Sequence, residues 1–176
     1  MTLAADETVQ TIVVAVAIGI LLTIVHSDIR TRRIPNALAA VIAVLGLARM
    51  ALANDGVAAV HTLAASTAVL AVAFLLFWHG VFGGGDAKLI GAVALLVGVH
   101  NLFDFLLLMS VCGSAVALAV LARDRFHPYR RHTSQQMIKP SSMHRAGHGG
   151  PPRPTVPYGV AIAGAGIVIL ILKPVL

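Results

Sequence analysis

Apolar residues fill this chain in six blocks, separated by short polar or turn-forming intervals. The blocks run from Thr8 to His26, Asn36 to Ala53, Val57 to Trp78, Ala87 to Val99, Leu102 to Ala122 and Val156 to Leu172. A helix crossing a hydrocarbon core of about 30 Å needs roughly 17 to 25 such residues. Five blocks meet that length and the fourth falls short. Because the fourth follows the glycines at 83 to 85, it predicts a continuing or re-entrant helix whose irregular backbone is sheltered by its neighbours. The pattern as a whole predicts an all-α integral membrane protein with about six transmembrane helices.

Composition supports this and narrows it. The chain has 176 residues, of which 58% are hydrophobic and only 11% charged, against about 25% charged in soluble domains. An ordinary soluble enzyme is thereby excluded. The only extended polar stretch, Arg123 to Thr155, is shorter than the roughly 50 residues a further domain needs, so residues 1–176 read as a single membrane domain. The start carries Asp6 and Glu7 in place of a basic leader and is read as a retained helix, not a signal peptide. Cys112 is the one cysteine, which leaves no disulfide framework and no four-thiolate zinc site.

Charge sets the expected orientation, because cytoplasmic loops collect Lys and Arg. Of the 13 basic residues, 11 fall in three intervals that an alternating path puts on one side: Arg30 to Arg33, Lys88, and Arg123 to Arg153. Arg49 and Lys173 fall on the other, so both termini are expected to be extracytoplasmic. The basic stretch, about 123–155, carries seven basic residues against Asp124 and is interrupted by Pro128, Pro140, Pro151, Pro152 and Pro154. It predicts a loosely ordered cytoplasmic loop whose partner is anionic membrane lipid and not nucleic acid. Its histidines, 127, 132, 144 and 148, have no Cys or carboxylate companions, and no metal or other cofactor is expected.

Acidic residues at a membrane boundary are costly and are the first candidates for chemistry. Asp28 lies in His26-Ser27-Asp28-Ile29-Arg30, placed just past the end of the first block, and Asp86 follows Gly83-Gly84-Gly85. The threading puts both on the cytoplasmic edge. Two adjacent carboxylates do not ionise together readily, so one keeps a proton and the other stays a base, the arrangement of an aspartic protease. Such a pair hydrolyses a peptide without a metal or a nucleophilic serine. Glycines at 83 to 85 let the backbone open toward an extended peptide, or simply form a turn. Helix ends favour Asp86 as the base and Asp28 as the proton holder, with Arg30, Arg32 and Arg33 pushing the other way. The glycine run is not a phosphate loop, since Ala87-Lys88-Leu89 follows where Gly-Lys-Ser or Gly-Lys-Thr is needed.

These residues resemble the type IV prepilin peptidases, membrane aspartic proteases of the Gly-x-Gly-Asp class. Asp28 with its basic followers and Ile34-Pro35-Asn36 is similar to the first catalytic motif, Gly83 to Leu89 to the second, and Val156-Pro157-Tyr158-Gly159 to the segment opening the last helix. The resemblance implies that Asp28 and Asp86 are the catalytic pair. It implies as substrate a prepilin or pseudopilin whose leader is cut after a glycine at the cytoplasmic face of the inner membrane, for assembly of a type IV (Flp-type) pilus or a type II secretion pseudopilus. Bifunctional members also methylate the new N-terminus and carry paired cysteines. Without them, this chain resembles the small peptidase-only branch of tight-adherence pili, and methyltransferase activity is not expected. The rivals are an intramembrane protease acting on other signal peptides, a proton-coupled transporter, and a noncatalytic secretion scaffold.

Several residues have two readings. Pro35 and Asn36 shape the loop, proline stopping the preceding segment and Asn36 capping the second helix. Lys88 is a topology anchor, or a partner for a carboxylate of the site or of the prepilin. Tyr158 is an interfacial tyrosine or a hydrogen-bonding group near the site. Asp55, His100 and Asp104 read as solvated loop residues, His26 and His79 as neutral packed histidines, and Gly159, Gly164 and Gly166 as helix-packing positions. The oligomeric state is not legible.

Overall fold

The computed structural model describes residues 2–31, 34–53, 55–80, 83–126 and 158–173. All the described elements are helices: α1 Thr2–Thr31, α2 Asn36–Leu52, α3 Gly56–Trp78, α4 Gly84–Val97, α5 Val99–Phe126 and α6 Tyr158–Leu172. Three of them contain a stretch long and apolar enough to cross a membrane, Thr8–Thr31, Gly56–Trp78 and Val99–Ala122, while α2 and α6 are shorter apolar helices. The described residues are thus all-helical, with three helices of membrane-crossing length and apolarity. The expected basic loop lies outside the described residues beyond Phe126, and α5 continues through Arg123 to Phe126 where that loop was expected to begin.

The shortest helix stands at the centre. α4 has 14 residues, about 21 Å of rise, and nine of them are buried. It packs against α2, α3, α5 and α6, while α1 packs on α6 and α2. Helices apolar on every face are stable only when enclosed, and α4 is enclosed by protein. The outer helices turn large apolar side chains outward instead, among them Leu63, Phe74 and Trp78 of α3 and Phe103, Leu107 and Val111 of α5.

Without a hydrophobic force between helices in lipid, close approach depends on small residues. Gly46 of α2 faces the α4 backbone so closely that a Cβ there would lie 2.9 Å from the amide nitrogen of Leu96. Gly91 admits Leu70 of α3 in the same way, and Gly166 of α6 admits Val93. At Gly98 the backbone takes φ +82°, a conformation glycine reaches without strain, and the chain turns from α4 into α5. The hydroxyl of Thr62 accepts the Val99 N–H at 3.2 Å across this break.

Polar groups close the same end. Arg49, which the charge count places on the extracytoplasmic side, is buried in α2 and donates to the carbonyl of Leu96 at 3.0 Å. That carbonyl belongs to the last turn of α4, whose acceptors have no partner within the helix. Arg49→Met is therefore expected to destabilise the fold by about 1–3 kcal/mol, read as a lower thermal midpoint in detergent. An unchanged midpoint contradicts this role. Asp55 and Asp104 are not simple loop residues. Asp55 caps α3 by accepting the N–H groups of Val57 and Ala58, each at 3.0 Å, and Asp104 lies within α5 and pairs with Lys173 beyond α6.

Candidate active site

α1 carries its buried face at Ala17, Leu21, Ile24 and Asp28. Steps of four, three and four residues keep these side chains on one stripe of a helix, so the acid continues an apolar seam. Asp28 is consequently inside α1, not past its end: nothing between His26 and Thr31 breaks a helix, and Pro35 is the first residue that must. The side chain is only 4% exposed. Its Oδ2 accepts the N–H of Val160, in the first turn of α6, at 3.1 Å. An anion at a helix N-terminus meets free N–H donors and a favourable dipole, which offsets part of the cost of burying this carboxyl.

Gly159 makes that contact possible. A Cβ on Gly159 would lie 2.7 Å from Asp28 Oδ2 and 2.8 Å from Ile34 Cδ1. Gly159, read from sequence as a helix-packing position, packs directly against Asp28 and Ile34. The other packing glycines behave differently, since Gly166 meets Val93 and Gly164 has nothing within 4 Å.

Asp86 is the third residue of α4, whose N-cap is Gly83, and a backbone hydrogen bond from Gly83 reaches its carboxylate. This is the returning half of a capping box, in which an acid at the third helical position satisfies the N-cap N–H. Each glycine of the run makes room for a different neighbour. A Cβ at Gly83 would sit 2.9 Å from Asp86 Oδ2, one at Gly84 would meet the Phe77 ring at 3.3 Å, and one at Gly85 would meet Ile34 Cβ at 3.3 Å.

Asp86 lies at the entrance of α4, outside the three candidate spans, and its carboxyl is raised to about 6, first by burial and then by the charge of Asp28. The Gly83 hydrogen bond opposes both and is outweighed. Desolvation and a like charge thus favour the protonated form at Asp86, against the pull of the helix end. The two acids therefore feel one another across the α1, α4 and α6 junction.

The remaining predicted residues border this junction. Pro35 occupies the N-cap of α2, makes no side-chain cap bond, and accepts the Leu38 N–H on its carbonyl at 3.0 Å. Asn36 does not cap α2 as expected, because the helix begins one residue earlier than a cap at 36 requires. Its Oδ1 accepts from Lys88 Nζ at 3.4 Å, tying α2 to α4 at an exposed edge. Tyr158 opens α6 half-buried, its ring 3.9 Å from where a Cβ of Gly113 in α5 would lie. His26 and His79 are exposed, not packed. Ile34, Val160 and Phe77 are contact residues here that the sequence reading gives no role of their own. Among the described residues, no three His, Cys, Asp or Glu side chains gather into a set able to hold a metal ion.

An all-helical membrane protein with two mutually sensitive acids at one junction is the class that fold and site define. Residues 15–118 match the type IV leader peptidase family, and the chain belongs to that family. The matched span includes Asp28, Pro35, Asn36, Gly83 to Asp86 and Lys88, and ends before Tyr158 and Gly159. Comparison with curated proteins and with solved structures returns no significant match.

Proposed function

We propose that this protein is a prepilin leader peptidase that hydrolyses its substrate with Asp28 and Asp86 acting as an aspartic pair. The observation that carries the reading is the junction itself, where a buried Asp28 under Gly159 raises the Asp86 carboxyl beside Gly85. Family membership supports the leader peptide as substrate class. The excess of Lys and Arg on the side of both acids supports cleavage at the cytoplasmic face of the inner membrane. The product is then a pilin or pseudopilin for a type IV (Flp-type) pilus or a type II secretion pseudopilus.

In the proposed reaction the pair carries one proton, held by Asp86. Asp28, oriented by the Val160 N–H, takes a proton from the attacking water as its oxygen bonds to the scissile carbonyl carbon. Asp86 gives its proton to the carbonyl oxygen, producing a neutral diol. As the C–N bond breaks, Asp28 passes its proton to the leaving nitrogen and Asp86 recovers one from the diol. Both acids return to their starting state and one water has been consumed.

The pH dependence has a definite sign. Because the carboxyl of Asp86 is raised to about 6, the shared proton is lost as pH rises through that value. Above it, kcat/KM is expected to fall by about tenfold per pH unit. The measurement is cleavage of a prepilin by the purified protein across acidic and neutral pH, with the new N-terminus read by mass spectrometry. A rate that climbs through neutrality removes the proton from Asp86, and a complete absence of cleavage removes the peptidase reading.

A further inference from the structure

Residues 53–55 alone join α2 to α3, yet the two helices make almost no contact with each other, and each packs instead on α4. The exposure of α4 shows where they part. Beyond Asp86 every residue of that helix is buried except Lys88 and Leu95, which stand about two turns apart on one stripe. On one side of the stripe Gly91 admits Leu70 of α3, and on the other Leu96 meets Gly46 of α2. Lys88 and Leu95 therefore lie along the floor of a cleft that has α2 for one wall and α3 for the other.

The walls are apolar. Asn36 of α2 reaches Lys88, and Ala40, Ala43 and Leu47 continue its face at steps of four, three and four residues. On α3, Leu63, Leu70 and Phe77 follow at steps of seven and are 40%, 41% and 40% exposed, against 77% for Trp78 on the outer surface. A hollow of about 320 Å³ lined by Met50, Ala51, Asp55, Gly56 and Ala59 keeps the wedge open as far as its vertex.

Charge enters only at the mouth, on the side of the two acids. Lys88 is exposed there, its Nζ 3.4 Å from the neutral Oδ1 of Asn36, and among the described residues no carboxylate pairs with it. Asp86 lies two residues earlier, about 200° round the helix, and faces the junction with α1 and α6. A cation at the mouth of an apolar cleft calls for an occupant that is an anion at one end and hydrocarbon at the other. A peptide helix is about 10–12 Å across, too wide for two helices held together by three residues, whereas a hydrocarbon chain can follow a wedge to its vertex. The stripe from Lys88 to Leu95 rises about 10 Å, within the half of a roughly 30 Å core that one leaflet supplies.

We propose that the cleft between α2 and α3 holds one anionic phospholipid, its phosphate at Lys88 and an acyl chain laid over Leu95 between Leu47 and Leu70. This site is separate from the lipid contact expected of the basic stretch at 123–155. It is also independent of the chemistry, because Asp86 points away from it, so protein that cleaves no peptide still binds the lipid.

The test reconstitutes the full-length protein in vesicles carrying phosphatidylglycerol or phosphatidylcholine with a diazirine in the acyl chain, and maps the cross-linked residues by mass spectrometry. Labelling at Phe103 and Leu107, on the outer face of α5, gives the bulk-lipid reference. Relative to it, phosphatidylglycerol is expected to label Leu47, Leu63 and Leu70 about fivefold more than phosphatidylcholine, the preference one basic residue gives at a membrane surface. Lys88→Gln is expected to abolish that preference and Lys88→Arg to keep it. Equal labelling by the two lipids in wild type, or a preference unchanged within about twofold in Lys88→Gln, overturns the site. If Lys88→Gln does not accumulate, Ala40→Phe decides: a ring on the α2 wall that removes cleft labelling while α5 labelling holds upholds the site, and undiminished cleft labelling overturns it. A leader peptide that displaces the lipid label from the cleft overturns the lipid assignment and gives the cleft to the substrate.

Discussion

Asp28→Asn is expected to lower kcat for leader cleavage by about 10³-fold or more while KM stays within about threefold. Asparagine has the same shape and keeps an oxygen for the Val160 N–H, so α1 and α6 remain joined while the base is lost. The substitution also removes the charge that helps raise Asp86, leaving burial as the remaining upward cause. The carboxyl of Asp86 therefore moves down, which infrared titration of its C=O stretch can follow separately from activity. Asp86→Asn is expected to cost a similar factor, and the double variant little more than either single one, because groups that act as a unit are not additive. Activity within about tenfold of wild type in either single variant excludes the aspartic mechanism.

Gly159→Ala is expected to reduce kcat by about 100-fold with only a modest loss of stability, on the order of 1–3 kcal/mol. The new methyl would stand 2.7 Å from Asp28 Oδ2, 2.9 Å from Asp28 Cγ and 2.8 Å from Ile34 Cδ1. None of these is a tolerable separation, so the carboxyl and the isoleucine must both give way. Displacing a reacting group by about 1 Å is worth roughly two orders of magnitude in rate. Gly164→Ala is the control, since no atom lies within 4 Å of its added carbon and both activity and thermal midpoint are expected to hold. If Gly159→Ala matches Gly164→Ala in activity, the contact between α6 and Asp28 has no catalytic consequence.

The six helices were legible because lipid-facing and enclosed helices alike require long apolar blocks, and the charged intervals between them are abrupt. Asn36, Trp78 and Leu172 bound observed helices where the pattern expects boundaries. The two acids were legible for a related reason, as costly residues with few alternative explanations. The end of α1 was misjudged because Ser27 and Asp28 read as polar punctuation. The buried stripe through Leu21 and Ile24 shows that Asp28 belongs to the helix, and that spacing was available in the sequence.

Other features were not. The bond from Val160 to Asp28 joins residues 132 positions apart, and no local pattern encodes which helix receives a buried carboxyl. The neighbours of Gly159 become visible only when α1 and α6 meet, for the same reason. The pairing of Asp104 with Lys173 is hidden in the same way, since it joins α5 to a residue beyond α6, 69 positions along the chain.

The bond from Gly83 back to Asp86 joins the chemistry to the backbone. A charged carboxylate grips an N–H more strongly than a neutral carboxyl does. On the proposed mechanism, the acid that surrenders and regains a proton is also the clasp that starts α4. Each turnover thus tightens and slackens the opening turn of the central helix, so that helix fraying and proton traffic become two faces of one equilibrium.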